Sequence, residues 1–120
     1  MSKILIIEDD PILRSAYTTV LTMEGFEVRG APDGLEGLRL AQEEEPDLIL
    51  LDMLMPNLGG VQFLQAYKLK TEHPHVKVIV FSNISVPEQM SEVMALGATR
   101  YLTKSQFTPK EMVSTIREAL

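Results

Sequence analysis

Several strand-like runs in this chain end on residues with chemistry to offer. Ile4-Leu5-Ile6-Ile7 ends on Glu8-Asp9-Asp10, Leu48-Ile49-Leu50-Leu51 on Asp52, and Val78-Ile79-Val80-Phe81 on Ser82. A weaker run, residues 99–102, is followed closely by Lys104. If these ends meet, acids, a hydroxyl and an amine share one corner. Glu8, Asp9 and Asp52 would bring about −3 to it and Lys104 would return about +1. Carboxylates that close repel one another and otherwise take up protons, and a divalent cation resolves the conflict. Oxygen ligands with positions left for water favour magnesium over zinc. A carboxylate held beside magnesium and lysine is also a candidate nucleophile toward phosphorus. Taken singly, each residue has a plainer reading. Asp10, before Pro11, reads as a helix cap, Asp52 as the cap of a turn, Ser82 as a turn residue and Lys104 as surface. Their arrival from separate strands is what favours a shared site.

The elements that must deliver them follow from hydrophobic patterning. Short apolar runs bounded by polar residues suit strands buried on both faces. Residues 27–30 and 99–102 are two weaker strand candidates. Between the strands lie helical patterns. Ile12, Leu13, Ala16, Tyr17, Val20 and Leu21 mark one face of a helix over residues 11–24, with Gly25 just past its end. A second helix begins after Asp33, its N-cap, and runs to about Glu44, with Pro46 beyond. Gly59-Gly60 opens a third, carrying Val61, Leu64 and Tyr67 and closed before Pro74. A fourth carries Met90, Val93 and Met94 and stops at Gly97. The fifth starts at Thr108-Pro109-Lys110-Glu111, a capping box with proline at its first position. Met112, Val113, Ile116 and Leu120 form its buried face. Met90, Met94 and Met112 read as core. His73 and His75 flank Pro74 in a loop and read as surface.

Five βα units imply right-handed crossovers and a parallel sheet. They are too few for an eight-fold barrel. The expected fold is a doubly wound (βα)5 sheet in the flavodoxin-like order 2-1-3-4-5. Sites in such sheets form outside the carboxyl ends of the strands, at the point where the strand order reverses. In that order strands 1, 3, 4 and 5 lie together, so the acids, Ser82 and Lys104 do converge.

Composition sets the boundaries. A chain of 120 residues makes one domain, 1–120, and not two. Apolar residues at 45% and charged residues at 23% describe a folded globule, not a disordered or fibrous chain. No apolar run approaches the ~20 residues of a membrane helix, and the N-terminus lacks a signal-peptide pattern. With no cysteine there is no disulfide framework, thiolate zinc site or thiol nucleophile. A cytoplasmic location is the expectation. Residues 1–60 hold twelve acids and four bases, while residues 61–120 hold five and seven. That skew reads either as solvated surface or as a cation site in the first half. A basic footprint for direct nucleic-acid binding is missing. There is no GxxxxGK[ST] loop, and no GxGxxG follows the first strand.

The motifs together resemble a known family, the receiver domain of bacterial two-component response regulators. The resemblance runs from Lys3 to Leu120. It is carried by Ile4 to Asp10, by Pro46-Asp47 through Asp52-Met53-Leu54-Met55-Pro56, by Gly59-Gly60, by Val80-Phe81-Ser82, and by Gly97 through Lys104. It implies a signalling switch whose only chemistry is its own phosphorylation and dephosphorylation. Asp52 would be the phosphoacceptor. Asp9 would bind magnesium directly, Glu8 mainly through water, and the main-chain carbonyl of Leu54 would be a further ligand. Lys104 would pair with a phosphoryl oxygen, Ser82 would donate its hydroxyl to the phosphoryl group, and Tyr101 would be the aromatic switch or, more plainly, a half-buried core ring. The donor would be a sensor histidine kinase or phosphotransfer protein. The downstream output protein or domain would bind the face made by the fourth helix, fifth strand and fifth helix, with no membrane or direct nucleic-acid role.

The sequence departs from the family pattern in three places. Asn83 follows the switch hydroxyl where a small residue is common, Ser105 follows the lysine where proline is common, and no output domain follows. The chain is thus a stand-alone regulator or an excised receiver. Leu54 and Ile84, two positions after Asp52 and Ser82, would flank the path of an attacking water. A phosphatase of the haloacid-dehalogenase type would also use an aspartate nucleophile, but it needs a second acid where Leu54 stands. A non-phosphorylated interaction module on the same fold would be expected to lack one of the site residues, and none is lacking.

Overall fold

The three apolar runs are almost wholly withdrawn from solvent: no residue of Ile4–Ile7, Leu48–Leu51 or Val78–Phe81 is more than 3% exposed. In a computed structural model, which describes residues 1–83, 86–106 and 108–120, they form the middle of a parallel sheet. Its strands are β1 (Lys3–Ile7), β2 (Glu27–Ala31), β3 (Leu48–Asp52), β4 (Lys77–Ser82) and β5 (Arg100–Thr103). Their order is β2-β1-β3-β4-β5, as expected. The connecting helices are α1 (Pro11–Met23), α2 (Gly34–Glu44), α3 (Gly60–Tyr67), α4 (Pro87–Ala95) and α5 (Pro109–Ala119). Lys104–Gln106 adds a 3-10 turn between β5 and α5.

Alternate strand residues face opposite layers. Leu5, Ile7, Ile49, Leu51, Val78 and Val80 pack with Leu40, Phe63, Leu64, Tyr67 and Val93 of α2, α3 and α4. Ile4, Ile6, Leu48, Leu50, Ile79 and Phe81 pack with Tyr17 and Leu21 of α1 and with Met112, Val113 and Ile116 of α5. Among the described residues, no helix is long and apolar enough to cross a membrane.

The helix starts match their chemistry. Asp10 caps α1, accepting from the Ile12 and Leu13 amides, and Pro11 stands at the first position. Asp33 caps α2 through the Glu36 amide. Thr108 and Glu111 form the expected capping box on α5.

Several expectations are corrected. The third helix is not continuous to Pro74. It stops at Tyr67, the chain passes through the left-handed region at Lys68 (φ 55°), and a one-turn helix follows at Leu69–Glu72. In an unbroken helix Tyr67 and Leu69 would lie about 200° apart. The break lets both be buried, at 1% and 3% exposure. Met94 is exposed and Met90 only half-buried, because the buried face of α4 narrows to Val93. Met112 alone of the three is core, and Leu120, expected on the buried face of α5, lies past its end and is exposed. Ile12 and Ala16 also lie outside, leaving Tyr17 and Leu21 as the buried face of α1. His75 is exposed as expected, but His73 is not plain surface: its ring stacks on Tyr67 with centroids 4.0 Å apart.

Gly34 shows how closely α2 approaches the loop after β3. A Cβ placed there would lie 2.2 Å from the Leu58 carbonyl oxygen. That neighbour is backbone and cannot swing away. Gly34→Ala is therefore expected to cost about 1–3 kcal/mol, the usual range for overpacking, read by chemical denaturation. An unchanged midpoint would mean the loop yields freely.

Candidate functional site

The carboxyl ends of β1, β3 and β4 meet the start of the turn after β5, and the polar residues that they carry are unusually buried. Among the described residues, the buried charged side chains are Glu8 and Asp52, at 0% and 3% exposure, and Ser82 is the buried aliphatic hydroxyl, at 1%. Asp52 and Ser82 are the last residues of their strands, one position further into the sheet than patterning placed them. Asp52 is in register with Phe81, so Ser82 lies one step beyond it on the neighbouring strand.

Lys104 joins the carboxylates. Its Nζ lies 2.7 Å from Glu8 Oε1 and 3.3 Å from Asp52 Oδ2, with 11% of the lysine side chain exposed. Glu8, Asp9 and Asp52 each offer an oxygen, and these atoms lie within 4.8 Å of one another. Asp9 is exposed, at the mouth. The expected group is thus assembled from positions up to 96 residues apart in sequence.

The geometry explains the electrostatics. Burial, and then Glu8 alongside, pushes Asp52 up to about 7 against the pull of Lys104. Burial also works against the Lys104 ammonium, but Glu8 and Asp52 outweigh it and hold the amine above its ordinary value. The site therefore carries one more buried carboxylate than its lysine can neutralise.

Local backbone bonds hold the acids in place. The Asp10 amide donates to Glu8 Oε2 at 3.2 Å, and the Leu54 amide donates to Asp52 Oδ1 at 3.4 Å. Asp10 itself serves as the α1 cap, its plainer reading. Leu54 lines the cleft and is 59% exposed, and Asn83 lines it too. Ile84 lies outside the described residues. Tyr101 is half-buried against the layer that holds Val80 and Val93. No cis peptide bond occurs among the described residues, Lys104–Ser105 included.

Two neighbours escape sequence reasoning. Arg14 Nη1 donates to the Glu8 main-chain carbonyl at 2.7 Å, clamping the acidic turn from α1. Phe81 places its ring centroid 4.9 Å from Lys104 Nζ. Arg14 looks like one more solvent-facing helix residue, and Phe81 like one more core residue. Neither carries a signal in the sequence.

The comparisons with known proteins follow the same lines. Residues 4–117 match the family model of the response regulator receiver domain. The chain is 35% identical to "Response regulator GacA" of Pseudomonas aeruginosa, over 98% of this chain and 55% of that one. It is 32% identical to "DNA-binding dual master transcriptional regulator RpaA" of Synechocystis, over all of this chain and 49% of that one. The chain spans about half the length of the curated relatives it matches. Among solved structures, the chemotaxis protein CheY4 of Vibrio cholerae superposes with a TM-score of 0.91 at 31% identity, covering 100% of this chain and 99% of that one. With the family model matched along nearly the whole chain and the strand order in agreement, the chain belongs to the receiver domains of two-component response regulators.

Proposed function

We propose that this receiver domain takes a phosphoryl group onto Asp52 from the phosphohistidine of a sensor histidine kinase or phosphotransfer protein, and that the modified site changes a partner-binding surface. The carrying observation is the Lys104 ammonium set between the buried carboxylates of Glu8 and Asp52. An Asp52 oxygen attacks phosphorus, the phosphorus–nitrogen bond of the donor breaks, and its electron pair returns to the imidazole. Such transfer depends on alignment and on offsetting charge over the phosphoryl oxygens. Lys104 offsets part of that charge, and the Ser82 hydroxyl donates to a phosphoryl oxygen. Drawing Ser82 inward opens room beside β4, Tyr101 turns toward it, and the face formed by α4, β5 and α5 changes. The RpaA relative is named as DNA-binding. The partner of that face is therefore read as an output protein or domain, and this domain touches no nucleic acid itself.

Magnesium fits the donor set. The three carboxylates supply only oxygen, and their 4.8 Å spread is close to the ~4.2 Å across an ion with bonds of about 2.1 Å. Glu8, Asp9, Asp52 and the Leu54 carbonyl would hold the ion. When bound, it offsets the negative charge that gathers on the transferring group.

Incubation with a small phosphodonor and magnesium, followed by intact mass, tests the proposal. One added phosphoryl group is expected, and none on Asp52→Asn. An unmodified wild type, or a modified Asp52→Asn, would reject Asp52 as the acceptor. Magnesium is further expected to raise the melting temperature by mass action in the millimolar-to-micromolar range. Asp9→Ala should remove most of that rise. A wild type whose melting ignores magnesium would mean the carboxylates do not bind it.

A further inference from the structure

We propose that Phe81 is a positioning residue for Lys104, its ring forming the third wall of the ammonium's seat. This deepens the phosphoryl-transfer reading of the site and rests on it for the role of the lysine. Lysine is a point charge on a flexible four-carbon stem, so two carboxylates alone leave it free to swing. Here the ammonium lies 2.7 Å from Glu8 and 3.3 Å from Asp52, and a ring centroid stands 4.9 Å from it. That is within the ~6 Å reach of attraction between a cation and a ring face. The ring itself cannot wander. Phe81 is fully buried, paired in register with Asp52, and met by Tyr17 at 5.7 Å and 75°. An aliphatic residue at this position of β4 would serve the core without drawing the cation.

The consequence is a resting site already organised for charge. With its ammonium restrained beside Asp52, Lys104 need not be captured from solvent when a phosphoryl group arrives. Preorganised charge of this kind lowers a barrier more than mobile charge does. α1 takes part through Tyr17, so the seat of the lysine is braced from the helix that follows the acidic turn.

The test uses the full chain with isotopically labelled lysine and three kinds of variant. In the wild type, the Lys104 ε-methylene protons should be displaced upfield by the ring, unlike those of the exposed lysines. Phe81→Tyr, which keeps the ring, should keep that displacement. Phe81→Leu should lose the displacement, with transfer from a small phosphodonor about twofold to thirtyfold slower, the span from an exposed to a desolvated cation–ring contact. Because Phe81→Leu also alters core packing, fluorinated phenylalanines at position 81 supply the control. They keep the ring's shape while draining its face of electrons. A rate that falls stepwise with fluorination at constant melting temperature supports positioning by the ring. A rate indifferent to fluorination, or Lys104 resonances that match those of exposed lysines in the wild type, overturns it. If the wild type takes no phosphoryl group at all, the transfer reading fails, while the lysine resonances still decide whether the ring seats the ammonium.

Discussion

Asp52→Asn is expected to make the magnesium-free protein more stable at pH 8 and to leave it nearly unchanged at pH 4. The wild-type carboxyl is raised from an ordinary 3.8 to about 7 by burial and by Glu8. Between those values the folded chain holds a proton that the unfolded chain has released. Stability from this group is therefore present below about pH 4 and is lost as pH rises through about 7. Asparagine has no proton to lose, so the variant gains on the wild type across that window. The whole shift would correspond to about 4 kcal/mol, at ~1.4 kcal/mol per unit. Relaxation of the cleft and the bond that Lys104 loses reduce the expected gain to about 1–3 kcal/mol. Lys104→Met should act in the opposite sense. It leaves two buried carboxylates uncompensated and should cost about 3 kcal/mol at pH 8, with recovery in acid as Asp52 takes up its proton. The two changes should be far from additive, because they share one cluster. Denaturant titrations at several pH values, in chelator, check all of this. A gain in Asp52→Asn that is the same at pH 4 and pH 8 would mean that Asp52 ionises like an ordinary carboxyl.

A second large effect is expected on the lifetime of the phosphorylated state. Hydrolysis needs a water in line with the phosphorus–oxygen bond at Asp52, and placing that water is much of the catalysis. Leu54 lines the cleft, with its amide on Asp52 Oδ1 and an exposed aliphatic side chain. It cannot hydrogen-bond a water. Ile84, the other residue expected on the approach path, is equally apolar. Slow self-dephosphorylation is therefore the expected result, as sustained signalling would require. Leu54→Asn combined with Ile84→Glu should speed phosphate loss by about tenfold or more, which is about 1.4 kcal/mol of barrier. Decay of the phosphorylated protein, followed by intact mass at equal magnesium, measures it. Equal rates in the two proteins would reject water positioning as the control of lifetime.

Much of this molecule was legible in its residues. Three β-branched and leucine-rich runs, buried on both faces, define the central strands. The spacing of Asp33, Gly25 and Thr108-Pro109-Lys110-Glu111 marks helix ends, because caps are satisfied by neighbours a few positions away. Five βα units point to a doubly wound sheet, and its flavodoxin-like order, which the structure bears out, brings Glu8, Asp9, Asp52 and Lys104 together. What patterning could not decide depends on surfaces and partners far off in sequence. A methionine on an apolar helix stripe is core only if something covers it: Met112 lies against the sheet, whereas Met94 does not. Helical periodicity could not foresee the break at Lys68, since the burial of both Tyr67 and Leu69 decides it. Charge counting anticipated an excess of carboxylate. Only the folded chain sets Glu8 at 0% exposure against a lysine 96 positions away and raises Asp52 to about 7, because desolvation is a property of the closed cleft and not of the residues that line it.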